Sequence, residues 1–302
     1  MNRAFIYILI GAFLWGTIGF YVKKLYAFGF TPMEVVTLRV VSASILLFLY
    51  MLIRSPKNIK LHQWHDIKYF IGTGILSIIF FNYCMFKTME LATIPISAAL
   101  LYTGPAFVIV LSYIFFKEPI TKSKIMALVL TLAGAALVVG LFPLNLKTLA
   151  FSTILIGLGS GLGYALYSIF SKFALEKYDS LEITFFTFIV AAITLLPFFP
   201  FADKATQLLE PAVILYAFGL GFLPTAVAYI AYTFGLAQTE ASKASILATL
   251  EPVVATFVGI LIFSEPFSFL QMVGMAAIIF AVILVNLVSD STKNKSLARK
   301  AK

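Results

Sequence analysis

The sequence predicts an all-α, polytopic membrane protein with ten transmembrane helices arranged as two inverted five-helix repeats. Three observations carry this reading. The 302 residues are 61% hydrophobic and 12% charged, with a mean hydropathy of +1.01, whereas soluble domains carry roughly 25% charged residues. A water-soluble fold cannot hide that much apolar surface, so soluble enzymes, nucleic-acid binders, disulfide scaffolds and disordered chains are excluded as whole-chain readings. Apolar runs of the ~20 residues that a helix needs to cross a bilayer occur ten times. The second half of the chain then restates motifs of the first.

Taken in order, the runs are 4–22, 33–53, 69–90, 95–116, 122–142, 151–172, 181–202, 211–236, 241–263 and 267–288. They are far longer than the ~9–11 residues of a barrel strand and do not alternate polar with apolar positions. The first follows Arg3 without a clean small-residue cleavage site, so it reads as a retained helix and not as a signal peptide. Only the connection 54–68 and the basic tail 289–302 look aqueous. The net charge of +9 is therefore a topology signal, since basic residues gather in short cytoplasmic connections. With the N-terminus inside, the cytoplasmic side carries 16 Lys and Arg against 5 outside. Both termini are thus expected in the cytoplasm, and an even number of spans is consistent with that. The single cysteine, Cys84, excludes an intrachain disulfide.

The repeat divides the chain into residues 4–142, 151–288 and the tail 289–302. Gly72 and Gly74 recur 147 residues later as Gly219 and Gly221, and at the same offset Pro105 matches Pro252, Glu118 matches Glu265 and Pro119 matches Pro266. An odd number of spans per half puts the second half into the membrane upside down. Such inverted repeats are a transporter device, with binding near the midplane between the halves.

Trp15-Gly16 in the first span, Arg39 in the second, and a Pro…Glu-Pro motif closing the fourth and ninth give the chain a resemblance to the EamA-type branch of the drug/metabolite transporter superfamily. The resemblance covers about 4–288. It implies ten helices, alternating access, and transport of amino acids or related small metabolites, with efflux as the expected direction. The second half departs from the pattern, with Phe188 set against Arg39 and Tyr164-Ala165 against Trp15-Gly16.

Candidate pathway residues follow from cost. A charge at mid-bilayer costs at least ~2.5–3.5 kcal/mol, so such groups normally face a cavity or a partner. Glu251, in the ninth span and beside Pro252, is the first candidate: it would bind a cationic substrate group or carry a coupling proton, the bland reading being a protonated acid bonded between helices. Its repeat position is Gly104, so the site is asymmetric. Arg39 either anchors a substrate carboxylate or contacts a neighbouring helix, and Glu34, about 140° around the same helix, is badly placed to pair with it. Asn82, Tyr102, Tyr229 and Trp15 are polar-edged groups inside spans, suited to lining a pocket for an amphipathic solute. Pro105 and Pro252 mark hinges, because each removes a backbone donor. Glu118 and Glu265 read as helix-end structural residues that cap the following helix. Gly157 with Gly161, and Gly159 with Gly163, form two small-residue packing stripes.

His62 and His65 without a third ligand make no metal site, no phosphate-binding loop is present, and no cofactor is called for. The expected partners are a small-molecule substrate, the lipid bilayer and protons as coupling ion, without nucleic acid; oligomeric state is open. The competing reading is an intramembrane enzyme acting on lipid or isoprenoid substrates. That chemistry wants clustered acids, histidines or lysines, and here the acids are scattered.

Overall fold

The computed structural model describes residues 3–141 and 150–300, with side chains as far as residue 287. Lys147, in the expected fifth connection, lies outside the described residues, and so do the side chains of the tail 289–302. Among the described residues every regular element is helical. Nine helices are long and apolar enough to cross a membrane: α1 Arg3–Ala27, α2 Pro32–Arg54, α3 Trp64–Leu91, α4 Ile94–Phe116, α6 Phe151–Ala174, α7 Ser180–Phe198, α8 Pro211–Ala237, α9 Ala241–Phe263, and α10, whose apolar part is Phe269–Leu287 within a helix running to Lys300. The remaining expected span is the helix α5, Lys122–Val138. It has 17 residues, or ~25 Å at 1.5 Å per residue, so it is shorter than its neighbours. A short helix, Phe201–Leu208, lies between α7 and α8.

Local chemistry sets the helix ends. Thr31 with Glu34, and Asp179 with Glu182, form capping boxes at the starts of α2 and α7. The side-chain oxygen of Thr121 accepts from the Lys124 amide at the start of α5, and Ser268 does the same for Gln271 at α10. The expectation that Glu118 and Glu265 cap the following helices is therefore corrected: Thr and Ser, three residues beyond each glutamate, hold those positions. The capping boxes also align α2 with α7 at an offset of 148, so the counterpart of Arg39 is Thr187, and not Phe188.

The duplication reaches backbone detail. Helix α4 breaks at Tyr102-Thr103 and restarts at Gly104, while α9 breaks at Thr249-Leu250 and restarts at Glu251. Both end in a left-handed residue, Lys117 (φ 57°) and Ser264 (φ 53°), and the next amide reaches back to Ser112 and Gly259 respectively. Helices α3 and α8 each contain a π-helical stretch, Gly72–Ile79 and Phe222–Val227. Such a stretch leaves carbonyls out of register and is frequent at functional sites.

Packing exchanges under the same shift of five helices. Helix α1 packs on α8 and α9 as α6 packs on α3 and α4; α2 packs on α8 as α7 packs on α3. Two bundles result, α1-α2-α8-α9 and α3-α4-α6-α7, joined where α2 meets α7 and α4 meets α9 and flanked by the extensive α5–α10 pair. The glycines of α6 serve both faces: a Cβ at Gly161 would crowd Leu100 and Gly104 of α4, and one at Gly163 would come within 2.8 Å of Phe81 in α3. The core is a single large apolar cluster spanning both bundles, with smaller satellites.

Candidate functional site

The site lies where the two broken helices face each other across the bundle boundary. Restarting α4 and α9 in mid-span places two half-helix starts there, with the amides of Tyr102, Thr103, Ala106 and Phe107 in α4, and of Thr249, Leu250, Val253 and Val254 in α9, bonded to carbonyls of the same helix. Glu251 is the first residue of the restarted α9, and Pro252 follows at a position where its missing N–H leaves nothing unpaired. Pro105 holds the same place in α4.

Beside this break, Trp15, Phe81, Tyr164, Tyr167, Tyr229 and Tyr232, with Ser77 and Ser168, enclose a cavity of about 10 Å³, close to the room one water requires. The rings meet mostly edge-on: Trp15 stands 5.0 Å from Tyr229 at 67° and 6.4 Å from Tyr164 at 69°. Edge-to-face packing of this kind fixes ring orientation. Two of the hydroxyls are hydrogen-bonded to side chains, Tyr167 to Thr233 at 2.8 Å and Tyr232 to Ser168 at 2.7 Å. The Trp15 indole nitrogen and the Ser77 hydroxyl are buried at this cavity without a hydrogen-bond partner in the protein.

Arg39 is buried, and its Nε donates to Thr225 Oγ1 at 2.8 Å. Thr225, on the π-helical stretch of α8, in turn donates to the Leu220 carbonyl five residues back. The guanidinium carbon stands 5.7 Å from the centre of the Tyr229 ring, within cation–π range. The Glu251 backbone carbonyl lies against Gly16, next to Trp15, and Pro252 shares a cavity wall with Tyr102. Glu251, Arg39, Tyr102, Tyr229 and Trp15 are thus brought together.

Asn82 is not brought to this wall. It is buried, and its amide donates to the Ile78 carbonyl one turn earlier on its own helix at 2.7 Å. Tyr164, Tyr167, Tyr232, Ser77 and Thr225 are the residues that sequence reasoning missed. Tyr164 carried a signal, since it occupies the repeat position of Trp15; Thr225 carried none.

A second cavity, of about 320 Å³, opens between the bundles from Tyr102 and Pro252 to Ile94, Pro95, Glu265 and Pro266 at the end of the molecule where α4 begins. The opposite end is shut by side-chain bridges between the bundles, which border only a shallow outer depression of about 440 Å³. There the buried Glu118 accepts from the amides of Ala241 (2.6 Å) and Ser242 (3.0 Å), capping α9 across the bundle boundary. Lys172 of α6 donates to the carbonyls of Leu236 (2.9 Å) and Thr239 (2.6 Å) at the end of α8. Lys124 and Lys243 pair with Glu240 at 2.9 and 3.1 Å. Burial opposes the charge on Glu240, but these two ion pairs outweigh it and hold the carboxyl below its usual range.

Among the described residues, an all-helical frame with nine apolar helices, halved by a repeat and enclosing a partly polar cavity, is that of a multi-pass membrane protein. The comparisons with known proteins give the family. The chain matches the EamA-like transporter family twice, over residues 2–140 and 151–287, and it belongs to that family. It is 32% identical over 191 residues to an uncharacterized transporter of Archaeoglobus fulgidus, a match covering 63% of this chain and 66% of that one, just under two thirds of its length. An uncharacterized transporter of Clostridium kluyveri is 27% identical over 298 residues, covering 94% and 93%. A solved crystal structure superposes with a TM-score of 0.75 at 15% identity, covering 96% of this chain and 98% of that one, a likeness of fold alone.

Proposed function

We propose that this chain is a secondary carrier of the cell membrane that exports amino acids or related small metabolites by alternating access, with both termini cytoplasmic and ten spans in two inverted halves. The basic bias of the connections supports the orientation, and the exchange of packing partners between halves supports the inversion. The cavity open at one end and shut at the other carries the reading. With the N-terminus inside, the shut end is cytoplasmic and the open end external.

In this mechanism the solute sits against Glu251, Arg39, Tyr102, Tyr229 and Trp15. A zwitterion suits the pair of opposite charges: an ammonium group faces Glu251 and the aromatic rings, and a carboxylate faces Arg39. Glu251 also carries the coupling proton: it releases the proton to water on one side as it takes up the cation, and regains one from water on the other side as the cation leaves. Pro105 and Pro252 give α4 and α9 the joints about which the bundles tilt, and Asn82 acts in positioning α3. Proteoliposomes loaded with unlabelled amino acids test this by counterflow of labelled ones. Accumulation driven by a proton gradient is expected, and loss of that coupling in Glu251→Gln. Equal flux in Glu251→Gln at every pH removes the residue from the role.

A further inference from the structure

The two ends of the molecule carry the same latch in two different states. Beyond the turn at Thr17, α1 and α6 align at an offset of 149, because Tyr21 fills the face of Gly219 just as Phe170 fills the face of Gly72. That register makes Lys23 the counterpart of Lys172. Helices α4 and α9 align at 147 through their matching left-handed ends, which makes Glu265 the counterpart of Glu118.

At the shut end the lysine and the glutamate hold a helix junction of the other bundle between them. Lys172 takes the last carbonyls of α8, and Glu118 takes the first amides of α9. Each is placed where the helix dipole favours its charge. At the open end Lys23 and Glu265 pair directly with each other, within their own bundle. The junction they would hold by repeat runs from Met89 to Pro95, and its Ile94 and Pro95 line the 320 Å³ cavity instead.

We propose that Lys23–Glu265 and Lys172–Glu118 form a reciprocal latch. When the open end shuts, Lys23 moves to the carbonyls of Met89 and Ala92 and Glu265 moves to the Ile94 amide. At the other end Lys172 and Glu118 release the α8–α9 junction and close on each other as an ion pair. The proposal rests on alternating access, which it deepens by naming what holds each state. The two latches are unequal. Ser242 supplies an amide and a hydroxyl to Glu118, whereas Pro95 stands at its repeat position and supplies neither. The state seen here is therefore the one favoured at rest.

Ala98 and Ser245 are repeat partners that report the two ends. Ala98 lines the open cavity, while Ser245 is fully buried at the shut end. In a Cys84→Ser background in lipid nanodiscs, where both faces meet reagent, maleimide should label Ala98→Cys fast and Ser245→Cys slowly. Glu118→Gln should slow the first and speed the second, shifting the ratio of the two rates by about a hundredfold, the size expected when several bonds to one charged group are weakened together. Adding Glu265→Gln should return both rates toward the parent. Lys172→Gln repeats the test should Glu118→Gln not fold. Unchanged rates, or both rates rising together without reversal by Glu265→Gln, overturn the latch. No solute is needed, so exchange of the rates in a chain that moves no amino acid would keep the latch and discard the carrier.

Discussion

The two halves of the molecule share a backbone and differ in chemistry. Helices α4 and α9 break at equivalent residues, end in the same left-handed turn and precede helices capped in the same way. Yet the residue that restarts each helix is Gly104 in one and Glu251 in the other, and Arg39 on α2 is matched by Thr187 on α7. Duplication supplies a frame that can take two related shapes. Divergence of a few side chains places one polar site in it.

Substitutions in the frame should be costly and alike in both halves. A Cβ at Gly74 would lie 2.8 Å from the Thr187 carbonyl, and one at its partner Gly221 would lie 2.8 Å from the Ala43 amide. Both neighbours are backbone and cannot give way, so Gly74→Leu and Gly221→Leu should each cost about 3 kcal/mol or more and abolish monodisperse protein on size exclusion. If one is tolerated and the other is not, the frames are not equivalent. Side-chain chemistry should divide the halves instead. Glu251→Gln should lower proton-driven transport about 100-fold through loss of a charge interaction made at the transfer step, with thermal stability kept. A smaller contrast lies at the bundle contacts. Thr225→Val removes the acceptor of a buried Arg39 and should cost ~1.5–3 kcal/mol, whereas Thr73→Val breaks the neutral Thr73–Thr187 bond (2.6 Å) and should cost ~0.5–1.5 kcal/mol. Melting curves of the two variants side by side would sharpen or erase the difference. The smallest effect concerns pH. The Glu240 carboxyl is held below its ordinary value of 4.5, so its stabilisation is complete above that value and is lost as pH falls through the lower one. Glu240→Gln should flatten the acid limb of the stability profile, and a profile unchanged from the parent would remove Glu240 from the lock at the shut end.

Much of the frame was legible in the sequence because it rests on composition and local signals. The apolar runs and the 147-residue repeat of Gly and Glu-Pro reappear as helices and matched turns. What was illegible depends on tertiary packing. No local pattern marks a π-helical stretch, and α5 stops short of the run 122–142 that hydropathy suggests. A loop of different length between α1 and α2 changes the repeat offset from 149 to 148, which hid Thr187 behind Phe188. Slippage between 147 and 149 likewise concealed the pairing of Lys23 with Lys172. Glu118 had every mark of a local cap, yet its partners are 123 and 124 residues away. Asn82 has the depth of a pocket residue, but a carbonyl on its own helix satisfies it.

The claim that one asymmetric polar site binds the solute can be read most directly from Trp15. The only other tryptophan, Trp64, is 77% exposed and can be replaced by phenylalanine without opening the core. In that protein, amino acids should produce a saturable change in Trp15 emission that Glu251→Gln abolishes and Gly104→Ala retains. Emission indifferent to every amino acid and amine tried, or a titration unaltered by Glu251→Gln, would contradict the account.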